Sequence, residues 1–172
     1  MATTAGSLNA TLPPHAENLG RGILDRLAAT PDKLAFMGPG PDDSWSVKYT
    51  WAQAGDEMLK LGAGLIALGV ELEDRVAIAS NTRTEWIFAD AAVMLAGGAN
   101  TTIYPSTSDD DFGYILSDSG SRFLIAEDQK QADKALHQRD QLPELTKIIL
   151  IDGDGDGDFV ISWAALKDLG VK

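Results

Sequence analysis

The 172-residue chain contains no cysteine. Disulfides, thiolate nucleophiles and cysteine-ligated zinc or iron–sulfur centres are therefore excluded. Histidine is almost as scarce: His15 and His137 are the whole supply, and neither has an obvious nucleophile or carboxylate partner close to it in sequence. No Gly-x-Ser-x-Gly elbow marks a hydrolase, although a Ser-His-Asp set drawn from distant parts of the chain stays open. Basic residues number 14 against 26 acidic ones, a net charge of −12. That balance argues against a nucleic-acid surface and against an electrostatic membrane anchor. No apolar run approaches the ~20 residues that cross a bilayer. The opening "MATTAGSLNATLPPHAENLG" has neither the basic nor the apolar region of a secretory leader. A cytoplasmic protein is the expectation.

What is present is globular. Hydrophobic residues make up 44% and charged residues 23%, enough for one domain with a real core. Residues 1–16 read as an extended arm and 17–172 as the folded unit. "ENLGRGILDRLAATPDK" predicts a helix with Leu19, Ile23 and Leu27 on one stripe, stopped near Pro31. "LAFM" and "SWSVKYT", on either side of "GPGPDD", predict a hairpin. Thr50 and Gln53 have capping-box spacing and open a helix to about Leu68, with Gly69 as its stop.

From residue 75 strands and helices alternate. The strands "RVAIAS", "NTTIYP", "RFLIAED" and "TKIILID" are followed in turn by "TEWIFADAAVMLAGG", "DDDFGYILSDSG", "QKQADKALHQRD" and "SWAALKDLG". The strands are apolar along their length, as in a sheet covered on both faces. The expected fold class is a three-layer α/β domain. Its sheet is mostly parallel with helices on both faces, and an N-terminal β-hairpin precedes it.

Ligands of such sheets sit at the carboxyl ends of the strands. Ser80-Asn81-Thr82-Arg83-Thr84 could hold a phosphate at a helix N-terminus, and it resembles the hydroxyl-rich loop of flavodoxins without the glycine. The plainer reading, favoured here, is a capping box between Thr82 and Glu85. Gly62-Ala63-Gly64 lies inside a helix and is no dinucleotide loop. Asp109-Asp110-Asp111 reads as the first turn of a helix capped by Ser108 rather than as a metal or acid/base cluster. In "IDGDGDGDFV", Asp152, Asp154 and Asp156 have the one-three-five spacing of an EF-hand. Position twelve of that count is Trp163, which cannot coordinate calcium, and a strand precedes the loop instead of a helix. The loop therefore reads as a solvated, flexible strand-to-helix connection. No metal ligands and no catalytic residues are assigned.

Several stretches taken together carry a resemblance: "EDRVAI", Asn81 to Trp86, Gly97 to Ala99, "IYPSTS", "YILSDSGSRFLIAED", and earlier "ATPDKLAF" and "YTW". From about residue 17 to 170 the chain resembles the N-terminal subdomain of AMP-forming acyl-CoA synthetases of the long-chain fatty-acid CoA ligase type. The resemblance implies an enzyme that activates a fatty acid with ATP and Mg2+ to an acyl-adenylate, then passes the acyl group to coenzyme A (CoA). The Ser/Thr/Gly-rich phosphate loop ending in Pro-Lys-Gly and the domain with the adenylating lysine are missing here. The expectation is therefore a fragment that is inactive by itself, binds none of these cofactors alone and self-associates through an exposed apolar face. For the intact enzyme, a membrane-peripheral location also stays open.

By the same resemblance, Tyr104, Pro105, Ser106, Thr107 and Ser108 meet the pantetheine arm of CoA in the intact enzyme. Pro105 and Ser106 stand where some relatives carry glycine. A looser alignment brings Lys130 and Lys134 near the CoA nucleotide, whereas the residues alone read as a solvated helix face. Two other classes remain: a stand-alone flavodoxin-like phosphate- or nucleotide-binding module, and a calcium-responsive domain.

Overall fold

The computed structural model describes residues 16–39 and 44–171. The arm 1–15 with His15, and positions 40–43 of the hairpin loop, lie outside the described residues.

Helix α1 (Leu19–Ala29) starts at Asn18, whose side chain accepts from the Arg21 N–H, and ends before Pro31. It buries no residue completely; Ile23 packs on the core, but Leu19 is 72% exposed, so the predicted stripe is shorter than its spacing implied. Strands β1 (Leu34–Gly38) and β2 (Val47–Thr50) pair antiparallel as the expected hairpin. Thr50 then caps α2 (Trp51–Ala67) in a reciprocal box with Gln53, both hydrogen bonds being present. Gly69 follows with φ +92°, a conformation that glycine adopts without a Cβ penalty.

Five strands form the main sheet: β3 (Arg75–Ala79), β4 (Ala99–Ile103), β5 (Ser121–Ala126), β6 (Lys147–Leu150) and β7 (Val160–Ser162). All neighbours are parallel, in the order β4-β3-β5-β6-β7. The connecting helices are α3 (Thr84–Leu95), α4 (Asp109–Ser119), α5 (Gln129–Leu136) and the terminal α6 (Trp163–Leu169).

The alternation of each strand splits the core in two. Val76, Ile78, Phe123, Ile125 and Ile149 face α2, α3 and α6, while Ala77, Ala79, Leu124, Ala126 and Ile148 face α4 and α5. This is the expected three-layer sandwich. Glycines inside α2 serve that packing. A Cβ on Gly64 would overlap the Leu166 carbonyl oxygen, so only glycine lets α2 and α6 approach so closely.

Strand β7 is a finding that the sequence reading did not contain. Residues 151–159 connect two parallel neighbours, β6 and β7, rather than a strand and a helix. The loop also has a defined course. Gly153, Gly155 and Gly157 all have positive φ, Gly155 bridges antiparallel to Ile161, and the Asp156 and Gly157 N–H groups donate to the Val160 carbonyl. These glycines supply left-handed backbone to a tight return, and the expected strand-to-helix connection is corrected to a strand-to-strand one.

Candidate functional site at the carboxyl edge of the sheet

Four loops leave the carboxyl ends of β3 to β6. Successive strands are laid to opposite sides of β3, so the strand order switches between β3 and β5, where sheets of this order bind ligands. Here that crevice is closed by the protein's own side chains. Both the backbone N–H and the Nδ2 of Asn81 donate to Glu127 Oε2 at 2.8 Å. Arg83 donates through Nε to Glu85 (2.7 Å) and through both terminal nitrogens to Asp152, and its Nη1 lies 3.8 Å from Glu127. Partial burial works against the guanidinium charge, but the hydrogen bonds to Asp152 and Glu85 outweigh it and hold its pKa above the ordinary arginine value.

Both readings of the Ser80–Thr84 loop are thereby corrected. The N-cap of α3 is Arg83, in extended conformation with no side-chain cap, so Thr82 and Glu85 form no capping box. Glu85 is instead an ion-pair partner of Arg83. Nor is this an anion site: one shared cation already faces three carboxylates, and a phosphate would meet net negative charge.

The aspartate loop is likewise occupied from within. Asp152 belongs to Arg83, and Asp156 Oδ1 accepts from the Asp158 and Val160 N–H groups at 2.8 and 2.9 Å. The Val160 bond and then the Asp158 bond hold the Asp156 carboxyl below the usual range. Among the described residues no group of three or more histidines and carboxylates is placed to hold a metal ion. Asp109–Asp111 occupy the first turn of α4, as expected, with Ser108 accepting from the Asp111 N–H. His137 caps the C-terminus of α5 and is exposed.

The space left open lies between β3 and β4. A cleft of about 460 Å3 is lined by Ser80, Asn81, Thr82, Trp86, Thr102, Ile103, Tyr104 and Pro105. Two of the five residues predicted to meet CoA line it. Tyr104 is 81% exposed, and its carbonyl accepts from the Thr107 N–H at 3.0 Å. Residues 104–107 are therefore a β-turn with Pro105 at the position where its fixed φ is favoured. Ser108 closes the segment by capping α4.

The two lysines separate. Lys130 is exposed on α5, as the solvated-face reading held. Lys134 is not on a solvated face. It is 8% exposed, and its ammonium donates to the Pro105 carbonyl at 2.9 Å and the Thr107 carbonyl at 2.6 Å. Gln131 Nε2 adds a third bond, to Pro105, at 3.3 Å. A sharper signal was present in "QKQADKAL": Gln131, Ala132, Lys134 and Ala135 recur at helical spacing and form the buried face.

The profile of the family described as "AMP-binding enzyme" matches residues 24–168. The chain belongs to that family. Among curated relatives it is 33% identical over 114 residues to a long-chain-fatty-acid–CoA ligase, FadD15, of Mycobacterium bovis, a match over 66% of this chain and 19% of that protein. It is 33% identical over 107 residues to the long-chain-fatty-acid–CoA ligase ACSBG2 of Xenopus laevis, over 62% of this chain and 14% of the relative. The chain thus spans about a fifth or less of these relatives. Among solved structures, a putative long-chain-fatty-acid CoA ligase from Rhodopseudomonas palustris superposes with a TM-score of 0.75 at 28% identity, over 88% of this chain and 36% of that one. An anthranilate CoA ligase, AuaEII, in complex with anthranoyl-AMP superposes at 0.74 with 25% identity, over 91% and 28%. With that family shown, the stand-alone flavodoxin-like module is not favoured. No helix among the described residues is long and apolar enough to cross a membrane.

Proposed function

We propose that the chain is the N-terminal part of a long-chain fatty-acid CoA ligase, which forms an acyl-adenylate from fatty acid and ATP with Mg2+ and then a thioester with CoA. The observation that carries this reading is the match of residues 24–168 to the AMP-binding family, together with the long-chain ligases among its relatives. Within that enzyme the segment is scaffold and one wall of a site, with no catalytic group of its own. The turn Tyr104–Ser108 and the cleft beside it face the pantetheine arm of CoA; their place at the carboxyl edge of the sheet supports this.

The phosphate loop and the adenylating lysine are contributed by other parts of the ligase, and the isolated segment is inert. Two apolar grooves flank α1, of about 590 and 700 Å3, with Leu19 and the 83% exposed Leu72 beside them. Such a surface supports coverage by the rest of the ligase and self-association of the segment alone. The proposed compartment is the cytoplasm, with the intact ligase reaching the membrane surface for its substrate.

The test is an assay of the intact ligase carrying these residues. Pyrophosphate release from ATP that depends on a long-chain fatty acid, followed by CoA thioester formation, is expected. Activation of another carboxylic acid, with fatty acids inert, would refute the substrate assignment.

A further inference from the structure

Lys134 is a buried cation whose hydrogen bonds go to backbone carbonyls rather than to a carboxylate. Its ammonium binds the Pro105 and Thr107 carbonyl oxygens and stands 5.5 Å from the centre of the Phe112 ring. Burying an ammonium is costly, and a neutral residue would serve a mere core position better. The bonds made in return are specific. They draw two carbonyls of one β-turn toward α5, while the Thr107 N–H closes that turn on Tyr104. With both carbonyls turned inward, the side chains of Tyr104 and Ser106 are left exposed. A surface lysine reaching for a nucleotide would keep its ammonium in solvent. This one is committed to the turn.

We propose that Lys134 is a positioning residue: it fixes the 104–107 turn in the shape that meets CoA, and does not touch the CoA phosphates. The proposal rests on the reading of that turn as the pantetheine contact. Residues 131 and 134 lie on one face of α5, so Gln131 assists through Pro105 without replacing the ammonium.

The test has two arms. In the 172-residue chain, amide hydrogen exchange of Thr107 is measured for the wild type and for Lys134→Cys. The absence of other cysteines allows that residue to be aminoethylated, which restores an ammonium at nearly the same reach. Expected is exchange at Thr107 at least about tenfold faster in the variant and restored by aminoethylation, with core amides such as Ile125 unchanged. Lys134→Met keeps the volume of the stem without its charge and takes the place of the cysteine variant if that one does not fold. Thr107 exchange that ignores the loss of the ammonium overturns the proposal.

In the intact ligase, Lys134→Met is expected to raise KM for CoA by about tenfold or more while kcat falls less than about threefold. Equal loss in adenylation and thioester formation would make Lys134 a merely structural residue and overturn the proposal. An unchanged KM for CoA despite a loosened Thr107 amide would refute the turn as the CoA contact, leaving the assignment as a ligase untouched.

Discussion

Arg83 at the head of α3 and Asp152 in the loop after β6 are joined by two hydrogen bonds across 69 positions of sequence. With Glu85 and Glu127 they close the crevice where the strand order switches, the place where a sheet of this order would otherwise take a ligand. The loop that looks like a calcium site is thereby tied to the fold by its first aspartate.

Replacing Arg83 by methionine leaves three neighbouring carboxylates without their shared cation. A loss of about 1–3 kcal/mol is expected from the partly buried pairs. Asp152→Asn, at a more exposed carboxylate, should cost under about 1 kcal/mol. Urea denaturation of the two variants checks the order, and a costlier Asp152→Asn would show that the network is anchored elsewhere.

Gly155 and Gly157 give a sharper test of the loop. A Cβ on Gly155 would overlap the Val160 carbonyl at a φ of +71°, whereas Gly157, at φ +81°, faces open space. Gly157→Ala should cost about 1 kcal/mol for the left-handed backbone alone, and Gly155→Ala at least ~2 kcal/mol because the bridge to Ile161 must also move. Equal, negligible effects on melting temperature would mean that the loop has no fixed course.

Asp156 predicts a pH dependence. Its carboxyl is held below the ordinary carboxylate range by the Val160 and Asp158 N–H groups. A depressed folded-state pKa stabilises the fold above the unfolded value, and that share is lost as pH falls through the folded one, below about pH 4. In urea titrations between pH 2 and 6, Asp156→Asn should flatten that acid limb. Added calcium should shift the midpoint of neither Asp156→Asn nor Asp154→Ala.

Gly64→Ala tests the close approach of α2 and α6. The added methyl has no room beside Leu166, and a loss of about 2–3 kcal/mol is expected. An alanine tolerated there would mean that the two helices can separate without cost.

The legible parts of this molecule were those where one local signal agreed with the global pattern. Thr50 with Gln53, Ser108 with Asp111, and the apolar runs beginning at Arg75, Arg122 and Lys147 each named an element that the fold contains. Strand β7 escaped because it has only three residues, Val160–Ser162, and the last of them is already the cap of α6, so no break separates strand from helix. The N-cap of α3 was misread because Thr82 has the better chemistry, while the ion pairs of Arg83 depend on Glu127 and Asp152, which only the sheet brings near. Lys134 was misplaced for the same reason: its charge reads as surface, and the carbonyls that satisfy it lie 27 and 29 positions away.

The most direct measurement for the whole account is the reading frame beyond codon 172. Continuation into a Ser/Thr/Gly-rich loop ending in Pro-Lys-Gly is the predicted result, because a ligase of the proposed kind needs backbone amides and a lysine to neutralise the leaving pyrophosphate. A stop codon directly after Lys172 would contradict the account.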